Sequence, residues 1–288
     1  MPALPDLKSP AKLNLFLHVT GRRTDGYHLL QSVFVPIDWC DTLHIETRND
    51  GKLRRHDLGT ALPTEDLCLR AAYLLQRTTG CTQGADIHID KHIPWGAGMG
   101  GGSSNAATVL KALNQLWGLH LPEPHLADMA LKLGADVPFF MAGRPAWVEG
   151  VGELITPIAL PLDLFETPIA VLKPPGAIPT PAIFASPTLK RDSEHAIVSI
   201  FLAAPKRFGR NDLQPPAMVH SREVVQALEI MQGRFGNSRM TGSGSAVFSW
   251  VEPGQAGKAS ELASFSPANV GLIDHTWAGR LCRVLPSL

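Results

Sequence analysis

Between residues 94 and 107 the chain reads Pro-Trp-Gly-Ala-Gly-Met-Gly-Gly-Gly-Ser-Ser-Asn-Ala-Ala, with five glycines in seven consecutive positions. Such a backbone is free to adopt positive φ and to approach a ligand with no Cβ in the way, so successive N–H groups can converge on one point. Directly after the glycines, Ser103 and Ser104 open a run with apolar residues at Ala106, Ala107, Val109, Leu110, Leu113, Leu116 and Trp117. That spacing predicts one face of an amphipathic helix, capped by serine and ending at Gly118. The free N–H groups and positive dipole end of such a helix reinforce the glycine concavity, and the guest they suit is an anion, polyphosphate above all.

A merely flexible surface loop seldom ends so sharply on a capped apolar helix. A Walker-type loop needs Gly-Lys-Ser/Thr at its end, and no lysine lies between Trp95 and Val109. Gly96, Gly98 and Gly101 fit the dinucleotide fingerprint by spacing, but that motif follows a buried parallel strand and precedes an acidic residue about 20 positions on, at the end of a second strand. Here residues 85–90 alternate as Ala-Asp-Ile-His-Ile-Asp, like a strand with one wet face, and the acid nearest that spacing, Glu123, sits between two prolines.

A chain of 288 residues can form one large or two medium domains and bury a substantial core without staples. Its 26 basic residues balance 26 acidic ones, so no global field selects nucleic acid or a membrane surface, and phosphate recognition has to be local. Cys40, Cys68, Cys81 and Cys282 form no Cys-x-x-Cys pair and are too few for a disulfide framework, which suits a reducing compartment. His88 and His92 lie four apart on strand-like sequence, without helical ligand geometry, and are read as structural or solvated. The opening residues lack the regions of a signal peptide, and no apolar run approaches the roughly 18 residues of a bilayer span, so a cytoplasmic protein with no membrane partner is expected.

Along the chain, Ala11, Leu13, Leu15, Leu17 and Val19 alternate with Lys12, Asn14, Phe16 and His18, the pattern of a strand buried on one face. Further strands are expected at 30–37, 42–47, 85–93, 146–149, 154–157, 169–173 and 246–250, and near 274–277. Helices are expected at 67–77, from Ser103 to Trp117, at 125–133 with Gly134 as its stop, at 224–231 and around 257–263. Proline clusters at 174–187 and 215–216 mark ordered loops. The elements alternate without a strict βαβα rhythm, so we expect an α+β chain in two domains, 1–160 and 161–288.

Three separated segments resemble the superfamily of small-molecule kinases that includes galactokinase, homoserine kinase, mevalonate kinase and phosphomevalonate kinase. They are Pro-Ala-Lys-Leu-Asn-Leu at 10–15, the glycine loop, and Thr-Gly-Ser-Gly-Ser-Ala at 241–246. Arg-Thr-Asp-Gly-Tyr-His at 23–28, Leu-Gly-Ala-Asp-Val-Pro-Phe-Phe at 133–140, Ile-Pro-Thr-Pro at 178–181 and Asn-Asp-Leu at 211–213 resemble the branch acting on a cytidine diphosphate-linked sugar alcohol. Met99 replaces the family's usual leucine, a volume-conserving change, and the resemblance is weak through 186–210.

The resemblance implies an N-terminal ribosomal-protein-S5-like domain with a left-handed βαβ crossover, against the usual hand, and a C-terminal ferredoxin-like domain, with the active site between them. It implies transfer of the γ-phosphoryl group of ATP to an alcohol, with Mg2+, by a monomer or homodimer that binds small molecules and no nucleic acid. Lys12 and Asp136 become catalytic. Pro94, Trp95, Gly96, Ala97, Gly98, Met99, Gly100, Gly101, Gly102, Ser103 and Ser104 become the ATP site. Asn14, Tyr27, His28, Phe184, Thr241 and Gly242 become the substrate site, and the Ser104 hydroxyl is a candidate magnesium ligand. Without the resemblance, Lys12 reads as a solvated lysine on the wet face of a strand, and Asp136 equally well as the N-cap of a helix opening Val-Pro-Phe.

Overall fold

Two long strands, β1 (Ala3–Arg22) and β2 (His28–Arg48), form an antiparallel hairpin around which the rest of the chain is arranged. The computed structural model describes residues 1–59, 61–64, 66–252 and 276–288. The hairpin register shifts at Leu4/Leu7, Pro10/Ala11, Asn14/Leu17 and Val19/Gly21, and such irregularities bend and twist a ribbon. The far end of β2, residues 42–48, pairs with β4 (Gly84–Asp90). That strand runs parallel to β3 (Leu53–Leu58), the crossover between them passing through α1 (Leu67–Thr79). Residues 32–34 of β2 pair with β5 (Ala146–Glu149), which pairs with β6 (Leu154–Pro157).

Four helices bury their apolar residues with this sheet: α1, α2 (Gly101–Leu116), α3 (Glu123–Leu133) and α4 (Val137–Ala142). Leu43, Ile45 and Ile87 of the strands share a core with Leu75, Val109, Leu110, Leu113 and Phe139 of the helices. Full burial of one such side chain contributes roughly 1.5–3 kcal/mol, so tertiary packing rather than intrinsic propensity holds α2 in place.

The chain leaves the first sheet at Pro157, passes through α5 (Asp163–Glu166) and enters a second sheet at β7 (Ile169–Lys173). Three short helices follow: α6 (Thr180–Ala185), α7 (Val198–Ala203) and α8 (Gln214–His220). Next come α9 (Arg222–Phe235), β8 (Arg239–Met240), β9 (Val247–Trp250) and β10 (Ala278–Cys282). The second sheet has the order β10-β7-β9-β8, antiparallel throughout. Helix α9 is capped by the Ser221 hydroxyl, which accepts from Val224 N, and stopped by Gly236 in the left-handed region. It buries Val224, Ala227, Leu228, Met231 and Phe235 with Ala170, Leu172 and Val247 of this sheet. The α+β class read from the sequence is the observed one.

The two sheets share a core. Ala11, Leu13, Val33, Val35 and Ile37 of the hairpin pack with Ile169, Val171, Phe248 and Trp250. Consequently β1 has no wet face between residues 9 and 19: Lys12, Asn14 and Phe16 are 3%, 1% and 0% exposed. The expectation of a one-sided strand fails there because alternation records one covering layer and the molecule supplies two.

Other differences are local. Segments 30–37 and 42–47 form the single strand β2. Helix α2 starts at Gly101, not at the serines, with Gly100 as N-cap at φ 68° and no side-chain cap. Helix α3 begins at Glu123 with Pro124 in its first turn, where a missing N–H costs nothing. Its stop, Gly134, has φ 167°, extended backbone rather than a left-handed cap. Of the last strand expected near 274–277, residues 276 and 277 lie outside any strand, just before β10, while residues 274–275 and the helix expected around 257–263 lie outside the described residues.

Candidate active site

Gly96, Gly98 and Gly100 all have positive φ, at 65°, 72° and 68°. A Cβ on Gly98 would stand 2.6 Å from the Thr241 carbonyl oxygen, and one on Gly100 would stand 3.0 Å from the Phe140 ring and 3.2 Å from the Lys12 stem. The absence of side chains thus lets the loop press on segment 241–245 from one side and on β1 and α4 from the other. Backbone bonds hold it there: Lys12 N donates to Met99 O at 2.9 Å, Ser245 N to Gly96 O at 3.3 Å and Ala246 N to Ala97 O at 3.1 Å. Helix α2 starts from this loop and brings its unpaired N–H groups and positive end to it.

A cavity of about 380 Å³ opens over the loop, lined by Pro94 through Ser103 and by Asp66, Leu67, Arg70 and Lys91. The loop itself holds no lysine, but Lys91, from the segment just before it, reaches the same cavity, its Nζ 2.9 Å from where a Gly101 Cβ would lie. Lys91 pairs with Asp41, a fully buried carboxylate that also accepts from the N–H groups of His92 and Ile93, both at 2.8 Å, and from Asn105 Nδ2 at 2.9 Å. This network anchors the entry to the loop. No motif in the sequence marks Lys91, because its partner Asp41 lies 50 residues away along the chain. Of the two serines, Ser103 lines the cavity, whereas Ser104 is buried and its hydroxyl accepts from Ser9 at 2.9 Å.

Beneath Gly100, the Lys12 ammonium donates to Asn14 Oδ1 at 2.6 Å, stands 3.7 Å from Asp136 Oδ2 and lies 4.2 Å from the centre of the Phe34 ring. Burial pulls its pKa below the ordinary lysine value, and the neighbouring Asp136 carboxylate opposes this without cancelling it. Asp136 occupies the N-cap position of α4 but makes no side-chain capping bond. Its carboxylate, one-third exposed, faces Lys12 instead. Asn14 extends the cluster, its Nδ2 donating to Ser32 at 3.0 Å and its backbone N–H to Thr241 Oγ1 at 2.9 Å. Gly242, at φ 55°, lies where a Cβ would be 2.7 Å from Gly98 O.

A second cavity, about 560 Å³, is lined by Tyr27, His28 and Phe184 together with Arg22, Thr180 and Pro181. The His28 and Phe184 rings stack with centroids 5.0 Å apart and planes 29° from parallel, and Tyr27 is largely exposed. Burial, then the cations of Arg191 and Arg22, lower the His28 pKa, which favours the neutral imidazole. Segment 241–245 connects the parts: it meets the glycine loop at Gly98, Asn14 through Thr241, and the wall of the second cavity through a 2.8 Å contact between Ser243 Oγ and Thr180 Oγ1. An anion cradle, a buried ammonium beside a carboxylate, and a cavity with stacked rings are the parts needed to hold a polyphosphate, an acceptor hydroxyl and an aromatic base.

Comparison with known proteins agrees with this geometry. The family model of the GHMP kinase N-terminal domain matches residues 66–144, and that of the GHMP kinase C-terminal domain matches 199–263. The 4-diphosphocytidyl-2-C-methyl-D-erythritol kinase of Methylibium petroleiphilum is 58% identical over 287 residues, covering 99% of this chain and 96% of that protein. The protein of the same name from Paracidovorax citrulli is 56% identical over 248 residues, covering 86% and 87%. The crystal structure of a 4-(cytidine 5'-diphospho)-2C-methyl-D-erythritol kinase superposes with a TM-score of 0.77 at 35% identity, covering 96% of this chain and 99% of that one. A mevalonate kinase crystal structure superposes with a TM-score of 0.71 at 14% identity, covering 99% of both chains, which shows a shared fold. The chain belongs to the GHMP kinases and, within them, to the 4-diphosphocytidyl-2-C-methyl-D-erythritol kinase family.

Proposed function

We propose that the protein transfers the γ-phosphoryl group of ATP to the 2-hydroxyl of 4-diphosphocytidyl-2-C-methyl-D-erythritol, a step in non-mevalonate isoprenoid precursor synthesis. The observation that carries the chemistry is the buried Lys12 ammonium 3.7 Å from Asp136, directly under the glycine loop. The loop and the α2 N-terminus bind the triphosphate, with Ser103 and Lys91 at the wall of the same cavity. Tyr27, His28 and Phe184 take the cytosine, by ring stacking and by a hydrogen bond from the imidazole. Asn14, Thr241 and Gly242 border the acceptor and its phosphates.

Asp136 orients the acceptor hydroxyl and takes its proton. An alcohol is a far weaker acid than a carboxylic acid, so early transfer of its proton to a carboxylate is steeply uphill and the proton moves late, in a loose transition state. Asp136 therefore acts mainly by alignment, and Lys12 by neutralising charge on the transferring group. Magnesium bound with ATP supplies further positive charge to the phosphate oxygens and needs few protein ligands. Among the described residues no group of three or more His, Cys, Asp or Glu could hold a metal. The side chains at hand are the Ser103 hydroxyl, at the cavity wall, and the Asp136 carboxylate. The four cysteines are unpaired, in keeping with a cytoplasmic setting.

Incubation with ATP, magnesium and the cytidylyl sugar alcohol, followed by phosphorus NMR, tests this reading. A new phosphomonoester resonance that requires all three components is expected. Turnover of mevalonate or homoserine in place of the cytidylyl compound would assign the chain another substrate, and binding of ATP without turnover of any alcohol would make it a nucleotide-binding module.

A further inference from the structure

Arg191 lies after α6, in the stretch where resemblance to the family is weak, yet its guanidinium reaches into the base-binding cavity's wall. Its Nε donates to His28 Nε2 at 3.1 Å, its Nη1 to Leu189 O at 3.1 Å, and its Nη2 to Phe184 O at 2.9 Å and to Ser186 O at 3.0 Å. A guanidinium has no acceptor to offer. His28 Nε2 is therefore the accepting nitrogen, and in the neutral ring the proton sits on Nδ1. Among the described residues Nδ1 has no hydrogen-bond partner of its own, and the ring it belongs to lines the cavity. The same guanidinium grips the backbone carbonyl of Phe184, whose ring stacks on His28.

We infer that Arg191 is the positioning residue of this cavity: it locks His28 as the Nδ1–H tautomer, leaving a donor free for the base, and ties that donor to the Phe184 ring. The inference rests on the cytidine-linked substrate proposed above and adds a basis for its selectivity. Cytosine presents acceptors at its ring N3 and O2, whereas uracil carries N–H at position 3. A fixed imidazole donor aimed at that position pairs with the first base and opposes the second, and sites built around one hydrogen bond reject a mismatched analogue strongly. The opposite tautomer would reverse the preference. Lysine cannot substitute, because a single ammonium cannot span four acceptors held in the plane of a fork.

The test uses Arg191→Lys and Arg191→Met in the full chain. Nitrogen-15 NMR of histidine-labelled, ligand-free protein reads the His28 tautomer, and steady-state kinetics compare the cytidylyl substrate with its uridylyl analogue. The wild type should show Nδ1–H alone and the variants a mixture. In both variants the KM for the cytidylyl substrate should rise about ten-fold or more, and the cytidine-to-uridine ratio of kcat/KM should fall by about as much, with the KM for ATP unchanged. An unchanged tautomer, an unchanged base preference, or an equal rise in the KM for ATP would each overturn the assignment. A wild type that shows the Nδ1–H tautomer but turns over neither substrate would sink the proposed function and leave the Arg191–His28 link standing.

Discussion

Lys12 is a charge carried almost out of water, with a carboxylate, an amide oxygen and an aromatic face around it. The loop backbone above it and the strands on either side exclude water, so its field reaches a bound phosphate with little screening. Lys12→Met should lower kcat by a factor on the order of 10² to 10³, the range seen when one preorganised stabilising group is lost. Asp136→Asn should also lower kcat by orders of magnitude, and calorimetry should show ATP still bound by both variants. Near-normal turnover in either would remove that residue from the mechanism. The sign of the pH effect follows from the direction of the Lys12 shift. The proposed role requires the ammonium form, whose folded pKa lies below 10.5, so kcat/KM should fall as pH rises through a value below 10.5. Folding stability moves the other way in that window, since the unfolded chain binds the extra proton and stability therefore rises with pH. An alkaline limb at or above 10.5 in the pH profile of kcat/KM would contradict the burial argument.

At the level of elements, the glycine loop and α2 act as one device, and the test is to disturb the loop without touching a functional side chain. Gly98→Ala places a Cβ 2.6 Å from the Thr241 carbonyl oxygen at a φ of 72°. The backbone strain alone costs about 1–2 kcal/mol, and the loop must lift from segment 241–245 to relieve the contact. ATP affinity should drop about ten-fold or more by isothermal titration. Ser221→Ala, which removes the cap of α9 far along the chain, should cost about 1 kcal/mol of stability in denaturant melts and leave both KM values unchanged. Equal effects of the two changes on ATP binding would count against a dedicated cradle. The loop, α2 and the strands from β4 to β7 were legible because five glycines, helical spacing and period-two alternation are local signals. The start of α2 was misplaced because serine is the commoner cap, whereas Gly100 in the left-handed region performs the turn without any side chain. Strand β3, Leu-Arg-Arg-His-Asp-Leu, was missed because an edge strand with charged residues carries little apolar pattern. Helices of six residues, such as α4 and α6, are too short to show a period and open on prolines that read as loops.

For the whole molecule, function depends on a hairpin covered on both sides. The second sheet packs on Ala11, Leu13 and Leu15 of β1, while a second layer, made of the glycine loop, α4 and Thr241, closes over the alternate side chains Lys12 and Asn14 and keeps them inside the molecule. No local pattern in β1 reports that second layer, which is why residue spacing alone assigned Lys12 to water and only the family resemblance assigned it chemistry. Likewise Lys91 and Arg191 reach the two cavities by folding, from positions where the chain shows no motif. The most direct test of the account is a crystal structure with a non-hydrolysable ATP analogue and the cytidylyl substrate. It should show the triphosphate along residues 96–103, its terminal phosphate facing Lys12, and the acceptor hydroxyl beside Asp136. A triphosphate lying outside the glycine loop, or a terminal phosphate remote from Lys12 and Asp136, would contradict it.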